Sequence, residues 1–461
     1  MKRLFMKKGL VLLAIGLLTA CGNGDEQDSL VTKPEDPQIE NPSNNPASNG
    51  NEQDSLVTKP EDPQIENPSN NPTVVVAKER EDIILTAEGS KINNAVNQFS
   101  LKFFKELYNH QKSSANTMVS PFRAQVAVSM AANGAKGQTL EEILTAMNLK
   151  GFSLDDVNQY NQTIVKALTE LDNTSFVSSA NGIWTKVKLL ESYIDQMRDV
   201  FNANVKTTDF SAEDIRAIND WAKEQTYGMI PSLFDEGEDV DCLVLLANAL
   251  YFEAIWEDPF DPDFKVKDKF TNSDNSQGDV ELMREVDFRN YLSSSSFDLC
   301  EKRYGNSAFS MVFLLPHSNV SLEKSINDFC QMDWKELNAK LAENYKFVKL
   351  SVPKFQIENQ KYDLIPSLKD MGIQTAFTGL ADFSNMTEDT GLFISKVEQK
   401  TALILNESGT SAAAITIIEE GGISTEDELE PLDFKLNRPF AFIIKEKSTG
   451  AILFAGAINK L

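Results

Sequence analysis

The sequence predicts an α+β fold, and two observations carry that prediction. Apolar residues at helical spacing dominate the first part of the folded region, whereas β-rich runs dominate the later part. The two kinds of segment do not alternate, which argues against a parallel α/β repeat. The chain is 461 residues long, and 41% hydrophobic content with 28 Phe suffices for a substantial core. A net charge of −25 argues against nucleic acid, whose partners carry a basic footprint, and against an anionic polysaccharide cofactor.

From the N-terminus, residues 1–20 read as a targeting signal. Lys2, Arg3, Lys7 and Lys8 give a positive start, and the apolar run 9–18 is too short to span a bilayer. Leu18-Thr19-Ala20-Cys21 resembles a bacterial lipobox, in which the Cys becomes the lipidated first residue. Cys21 is therefore the expected lipid attachment site, with a membrane as partner and the outer-membrane surface of a bacterial cell envelope as location. Residues 21–82 read as a tether. The string EQDSLVTKPEDPQIENPSNNP at 26–46 recurs unchanged at 52–72. Pro, Asn, Asp, Glu and Ser dominate it, so it buries too little apolar surface to offset backbone ordering. Residues 22–76 hold 11 acidic and 2 basic residues, a net charge of −9, and such a segment repels itself. Asp28-Ser29-Leu30 and Asp54-Ser55-Leu56 resemble a short bacterial O-glycosylation acceptor.

Order is expected from about Ile83, so the folded domain is taken as 83–461. Residues 97–108 (NQFSLKFFKELY) carry helical spacing. Residues 120–143 read as two helices, with Pro121 suited to a first turn and Asn133-Gly134-Ala135-Lys136-Gly137 breaking the pattern. Residues 241–256 (DCLVLLANALYFEAIW) predict a long buried strand, and 309–315 (FSMVFLL) another that stops at Pro316. Residues 347–355 (FVKLSVPKF) alternate with period two and predict one strand. Segments 440–445 and 452–457 predict two more, joined by Lys447-Ser448-Thr449-Gly450. No phosphate loop, nucleophile elbow or paired-His motif appears, so no catalytic residue, cofactor or metal is assigned. His110 and His317 stand apart from other ligand types and read as structural or surface residues. Beyond Cys21, the odd set Cys242, Cys300 and Cys330 has no spacing that demands a disulfide, and Cys242 leads into an apolar run as a buried thiol.

Several blocks, in order along the chain, resemble the serpin family from about Ile83 to Leu461. They are Ser120-Pro121, Gly134-Ala135-Lys136-Gly137 with Thr139, Ile218-Asn219-Asp220-Trp221 and Gly228-Met229-Ile230. They continue with Leu246-Ala247-Asn248-Ala249-Leu250-Tyr251-Phe252, Trp256 and Pro259-Phe260, then Val352-Pro353-Lys354-Phe355 and Met371-Gly372-Ile373-Gln374-Thr375-Ala376-Phe377. Asn437-Arg438-Pro439-Phe440 and Gly456 complete the set. The resemblance implies three β-sheets, eight or nine helices, a metastable native state and an exposed reactive loop. It also implies a monomer whose partners are target proteases. Two positions depart from the family: Arg123 stands where a second Ser is usual, and Gln399 where a His is usual. Gln399 retains both a donor and an acceptor.

The loop falls in residues 406–431, NESGTSAAAITIIEEGGISTEDELEP. Glu407, Gly409, Thr410, Ser411, Ala412, Ala413 and Ala414 match the family's hinge. If the cut loop inserts as a strand, side chains alternate between faces. Thr410, Ala412, Ala414, Thr416 and Ile418 then share one face, and Ser411, Ala413, Ile415, Ile417 and Glu419 the other. The leading residues are small, as entry into a packed interior demands. Gly409 permits the fold-back, and residues 415–418 favour a strand. On this reading Thr410 stays exposed until the loop is cut. Family spacing puts the reactive bond at Ile423–Ser424, with Thr425 and Glu428 as alternatives because the stretch to Pro439 is longer than usual. Ile423 suits an elastase-like serine protease, or the second subsite of a papain-like cysteine protease that cuts after Ser424. The implied activity is irreversible inhibition by loop cleavage and strand insertion. The alternatives are a plain surface loop and a non-inhibitory serpin-like surface binding protein.

Overall fold

The computed structural model describes residues 77–461 except 112–114, 178–179, 239 and 411–429. Cys21, most of the tether, Ser411, Ala412, Ala413, Ala414, Ile423 and Ser424 lie outside the described residues. Among the described residues are nine α-helices and sixteen strands. The helices are α1 (Ala87–His110), α2 (Pro121–Gly134), α3 (Gly137–Ala146), α4 (Leu154–Leu168), α5 (Glu191–Phe201), α6 (Ala212–Gln225), α7 (Leu322–Cys330), α8 (Trp334–Glu343) and α9 (Ile365–Asp370). The first eight strands are β1 (Thr117–Val119), β2 (Ser175–Val177), β3 (Ala180–Thr185), β4 (Ala203–Thr207), β5 (Val244–Ile255), β6 (Lys265–Thr271), β7 (Gln277–Ser293) and β8 (Phe297–Tyr304). The rest are β9 (Phe309–Pro316), β10 (Tyr345–Pro353), β11 (Phe355–Asp363), β12 (Lys396–Leu405), β13 (Gly409–Thr410), β14 (Leu432–Lys435), β15 (Phe440–Glu446) and β16 (Ile452–Ile458). Six of the nine helices precede β5, so the fold is α+β with helices early and strands late.

Nine strands form one network in the order β1-β16-β15-β9-β8-β7-β10-β14, with β6 also on β7. The long β7 joins two sheets: residues 291–293 pair with β8, whereas 277–290 pair with β6 and β10. The remaining seven strands form a third sheet, β11-β12-β13-β5-β3-β4 with β2 on β5. Helix α2 lies in the core beneath it, touching β5 and β16. All its residues are buried, so it lacks the one-sided apolar pattern of a surface helix. Ser120 caps it by accepting from the Arg123 N–H at 3.2 Å, and Pro121 occupies the first turn, where a missing N–H costs nothing.

One predicted element differs. The alternating run 347–355 is not one strand: β10 ends at Pro353 and β11 begins at Phe355, in different sheets. Pro353 has no N–H to continue a ladder, and Lys354 turns the chain from one sheet to the next. The alternation persists because both strands bury one face, and periodicity does not report a change of sheet.

Candidate functional site

The site lies where β12 ends and the chain reverses. Asn406 makes the turn: its Oδ1 accepts from the N–H groups of Ser408 at 3.0 Å and Gly409 at 3.2 Å. Gly409 has φ +153°, and a Cβ there would lie 2.1 Å from the Ala254 carbonyl oxygen, so no side chain fits. The turn delivers β13, two residues long, between β12 and β5. Thr410 faces Leu405 on one side and Ala254 on the other, antiparallel to both. Beyond Thr410, β5 and β12 pair directly and in parallel over seven residue pairs, from Leu245/Lys396 to Tyr251/Ala402.

Thr410 is fully buried, and its Oγ1 lies 2.7 Å from the phenolic oxygen of Tyr304 at the end of β8. This corrects the sequence expectation that Thr410 stays exposed until the loop is cut. The close approach allowed by Gly409 and the ladder partners left over at the end of β5 draw two hinge residues, Gly409 and Thr410, into the sheet of the uncut chain.

Residues before Thr410 are held from below. The Trp256 N–H donates to the Ser408 carbonyl at 2.8 Å and its indole Nε1 to the Asn406 carbonyl at 3.1 Å. The Phe260 N–H donates to the Glu407 carbonyl at 3.0 Å. Lys354 pairs with the Glu407 carboxylate, which raises the lysine's pKa. Trp256 stacks on Tyr304 with centroids 4.2 Å apart. The ammonium of Lys302 sits 4.2 Å from the Phe260 ring centroid and 5.2 Å from that of Trp256. It also bonds Glu285 and the Asp258 carbonyl, yet its burial pushes its pKa down to about 8.

The buried polar groups beneath the parallel pair form a second cluster. Gln399 on β12 accepts from the Ser120 N–H at 2.6 Å and donates to the Ser120 carbonyl at 3.1 Å, using both ends of its amide. Opposite it on β5, Asn248 donates to Asn181 at 2.8 Å, while its own Oδ1 has no partner among the described residues. Arg123 is fully buried, and its Nη1 and Nη2 likewise have no partner there. His110 and His317 pair with Asp370 and Asp298, and Cys242, Cys300 and Cys330 are free thiols.

Of the hinge residues named from sequence, the structure describes Glu407, Gly409 and Thr410, and brings all three to one end of β5. Sequence reasoning missed Tyr304 as their neighbour. It lies 106 positions from Thr410 and belongs to no quoted block, so only the fold brings the two hydroxyls together.

Three comparisons bear on the class of protein this is. The family model described as Serpin (serine protease inhibitor) matches residues 94–461. Iripin-2 of Ixodes ricinus is 30% identical over 386 residues, covering 81% of this chain and 94% of that relative. Serpin B4 of Homo sapiens is 29% identical over 396 residues, covering 79% and 99%. Among solved structures, the thermophilic serpin tengpin in its native state is similar at TM-score 0.73 and 28% identity, over 84% of this chain and 98% of that one. Human thyroxine-binding globulin complexed with thyroxine is similar at TM-score 0.72 and 25% identity, over 81% and 99%. The chain belongs to the serpin family.

Proposed function

We propose that the protein is an irreversible suicide-substrate inhibitor of serine endopeptidases, elastase-like by preference, with papain-like cysteine proteases as a second target class. The observation that carries the reading is Thr410 seated between β5 and β12, above a parallel ladder that an incoming strand would split. The protein's own chemistry is that of a substrate. The protease hydroxyl attacks the carbonyl carbon before the reactive bond, Ile423–Ser424 on family spacing. The C–N bond breaks, the amine leaves with a proton, and an ester links protease to inhibitor. The freed segment then enters the sheet.

Insertion is favourable because one parallel ladder becomes two antiparallel ones, which are stronger per residue. Continuing the register of Thr410 would carry Thr416 between Asn248 and Gln399, where the Asn248 Oδ1, without a partner among the described residues, can accept a hydrogen bond from its hydroxyl. The tethered protease is dragged along, and displacement of its catalytic groups by about 1 Å costs roughly 10²-fold in deacylation rate. No cofactor takes part, and the inhibitor acts as a monomer.

Incubation with pancreatic elastase tests the proposal. A complex that survives denaturing electrophoresis is expected, with a cut mapped by mass spectrometry to residues 423–428. Cleavage in the loop with no trapped protease overturns it in favour of the non-inhibitory binding protein, a reading supported by the likeness to thyroxine-binding globulin. For location, we propose a lipid at Cys21 that anchors the tether 21–82 to the outer-membrane surface of a bacterial cell envelope. Cys21→Ala should move the protein to the aqueous phase of a detergent partition, and persistence in the detergent phase would contradict the anchor.

A further inference from the structure

We infer that Tyr304 is a positioning residue: its hydroxyl, bonded to Thr410 in the uncut protein, sets the register in which the freed loop enters the sheet. The inference rests on the inhibitory reading above.

Register needs such a device because the loop's leading residues do not supply one. A strand's parity is normally set by which side chains fit its buried face. Thr410, Ser411, Ala412, Ala413 and Ala414 are all small, so the first five positions fit the interior in either parity. The penalty for a wrong start arrives late. In the correct parity Ala412, Ala414, Thr416 and Ile418 point inward. A one-residue slip instead buries Ser411, Ala413, Ile415, Ile417 and then Glu419, an unpaired carboxylate in the interior. The slip also takes Thr416 away from the Asn248 Oδ1, which then stays unpartnered. By the time these costs are felt, most of the segment is already in the sheet.

The structure supplies the missing cue at the first residue. Thr410 is already laddered to Leu405 and Ala254, and its side chain faces the interior. The ladder places Thr410 in this parity, and the hydroxyl pair at 2.7 Å holds it there against a slip, since Tyr304 is fully buried and would otherwise leave its O–H unbonded. The Tyr304 ring is itself fixed by its stack on Trp256, whose indole and backbone N–H groups hold the chain just before Thr410. The hydroxyl is thus rigid with respect to the strand it reads.

Tyr304→Phe removes the hydroxyl and keeps the stacked ring; Thr410→Val keeps the shape and removes its partner. In the uncut protein, hydrogen exchange at the Gly409 and Thr410 amides should quicken roughly fivefold in Tyr304→Phe, the size expected of one neutral hydrogen bond. With pancreatic elastase, the ratio of cut free inhibitor to trapped complex should rise roughly fivefold in either variant while the rate of loop cutting stays unchanged. The double variant should be no worse than either single one, and Thr410→Ser, which restores a hydroxyl, should behave as wild type. A purely structural role would not show this coupling or this rescue. Wild-type exchange and wild-type partition in Tyr304→Phe would overturn the inference. If wild type itself traps no elastase, the inhibitory reading fails, and the exchange arm still decides whether Tyr304 holds Thr410.

Discussion

Arg123 is the residue whose environment is hardest to reconcile with stability. It occupies the first turn of α2, fully buried, with both terminal guanidinium nitrogens unpartnered among the described residues. Its guanidinium carbon lies 5.3 Å from the centroid of the Phe122 ring. Burial lowers its pKa to about 9. An uncompensated charge in such a place costs more than an apolar side chain of similar length. Arg123→Met should therefore stabilise the uncut protein by about 1–4 kcal/mol in denaturant titrations near pH 7. Above about pH 9 the unfolded chain holds a proton that the folded one has released, so wild type gains stability as pH rises and the variant's advantage shrinks. A variant less stable than wild type at pH 7 would mean that the guanidinium has a partner after all.

At the scale of elements, helix α3 is tied to the segment after α9 chiefly by the Glu142 side chain. The Glu142 carboxylate accepts from the N–H groups of Gln374 at 2.9 Å and Thr375 at 2.7 Å, and from the Thr375 hydroxyl at 2.7 Å. Burial pushes its pKa up, but these donors outweigh it and hold the carboxyl down at about 2. A carboxylate whose folded pKa lies below its unfolded value contributes stability that is complete above the unfolded value, near 4.5, and is lost as pH falls toward 2. Glu142→Gln should be less stable than wild type at pH 6, with the gap closing between about pH 4.5 and 2. Thermal unfolding across that range checks it, and a gap independent of pH would assign the loss to packing instead.

For the whole molecule, the parallel contact between β5 and β12 is the place where the proposed loop insertion would give the fold an alternative. Under that proposal, admitting the loop replaces one parallel ladder with two antiparallel ones and would bury Ile418, a side chain worth about 1.5–3 kcal/mol when fully buried. On the proposed inhibitory reading, the uncut chain is the less stable of two arrangements and is held by its continuous loop. A single verified cut within 419–430, made with thermolysin so that no acyl-enzyme forms, should raise the melting temperature by at least a few degrees. An unchanged melting curve after that cut would exclude insertion.

The sequence by itself determined the class of fold and the position of its most strongly patterned elements. Helix pairs such as α2 and α3, and strands such as β5, are written in local periodicity, capping residues and breakers, and the ordered blocks identified the family. It also determined which hinge residues are small, because that requirement concerns their own volume. Only the tertiary structure decided where the 347–355 run divides, since Pro353 marks a change of sheet that alternation does not register. Only the tertiary structure showed Thr410 buried in the uncut chain and bonded to Tyr304. The reason is the same in both cases: exposure and partnership depend on which distant segments the fold brings together, and residues 106 positions apart leave no mark on each other's local sequence.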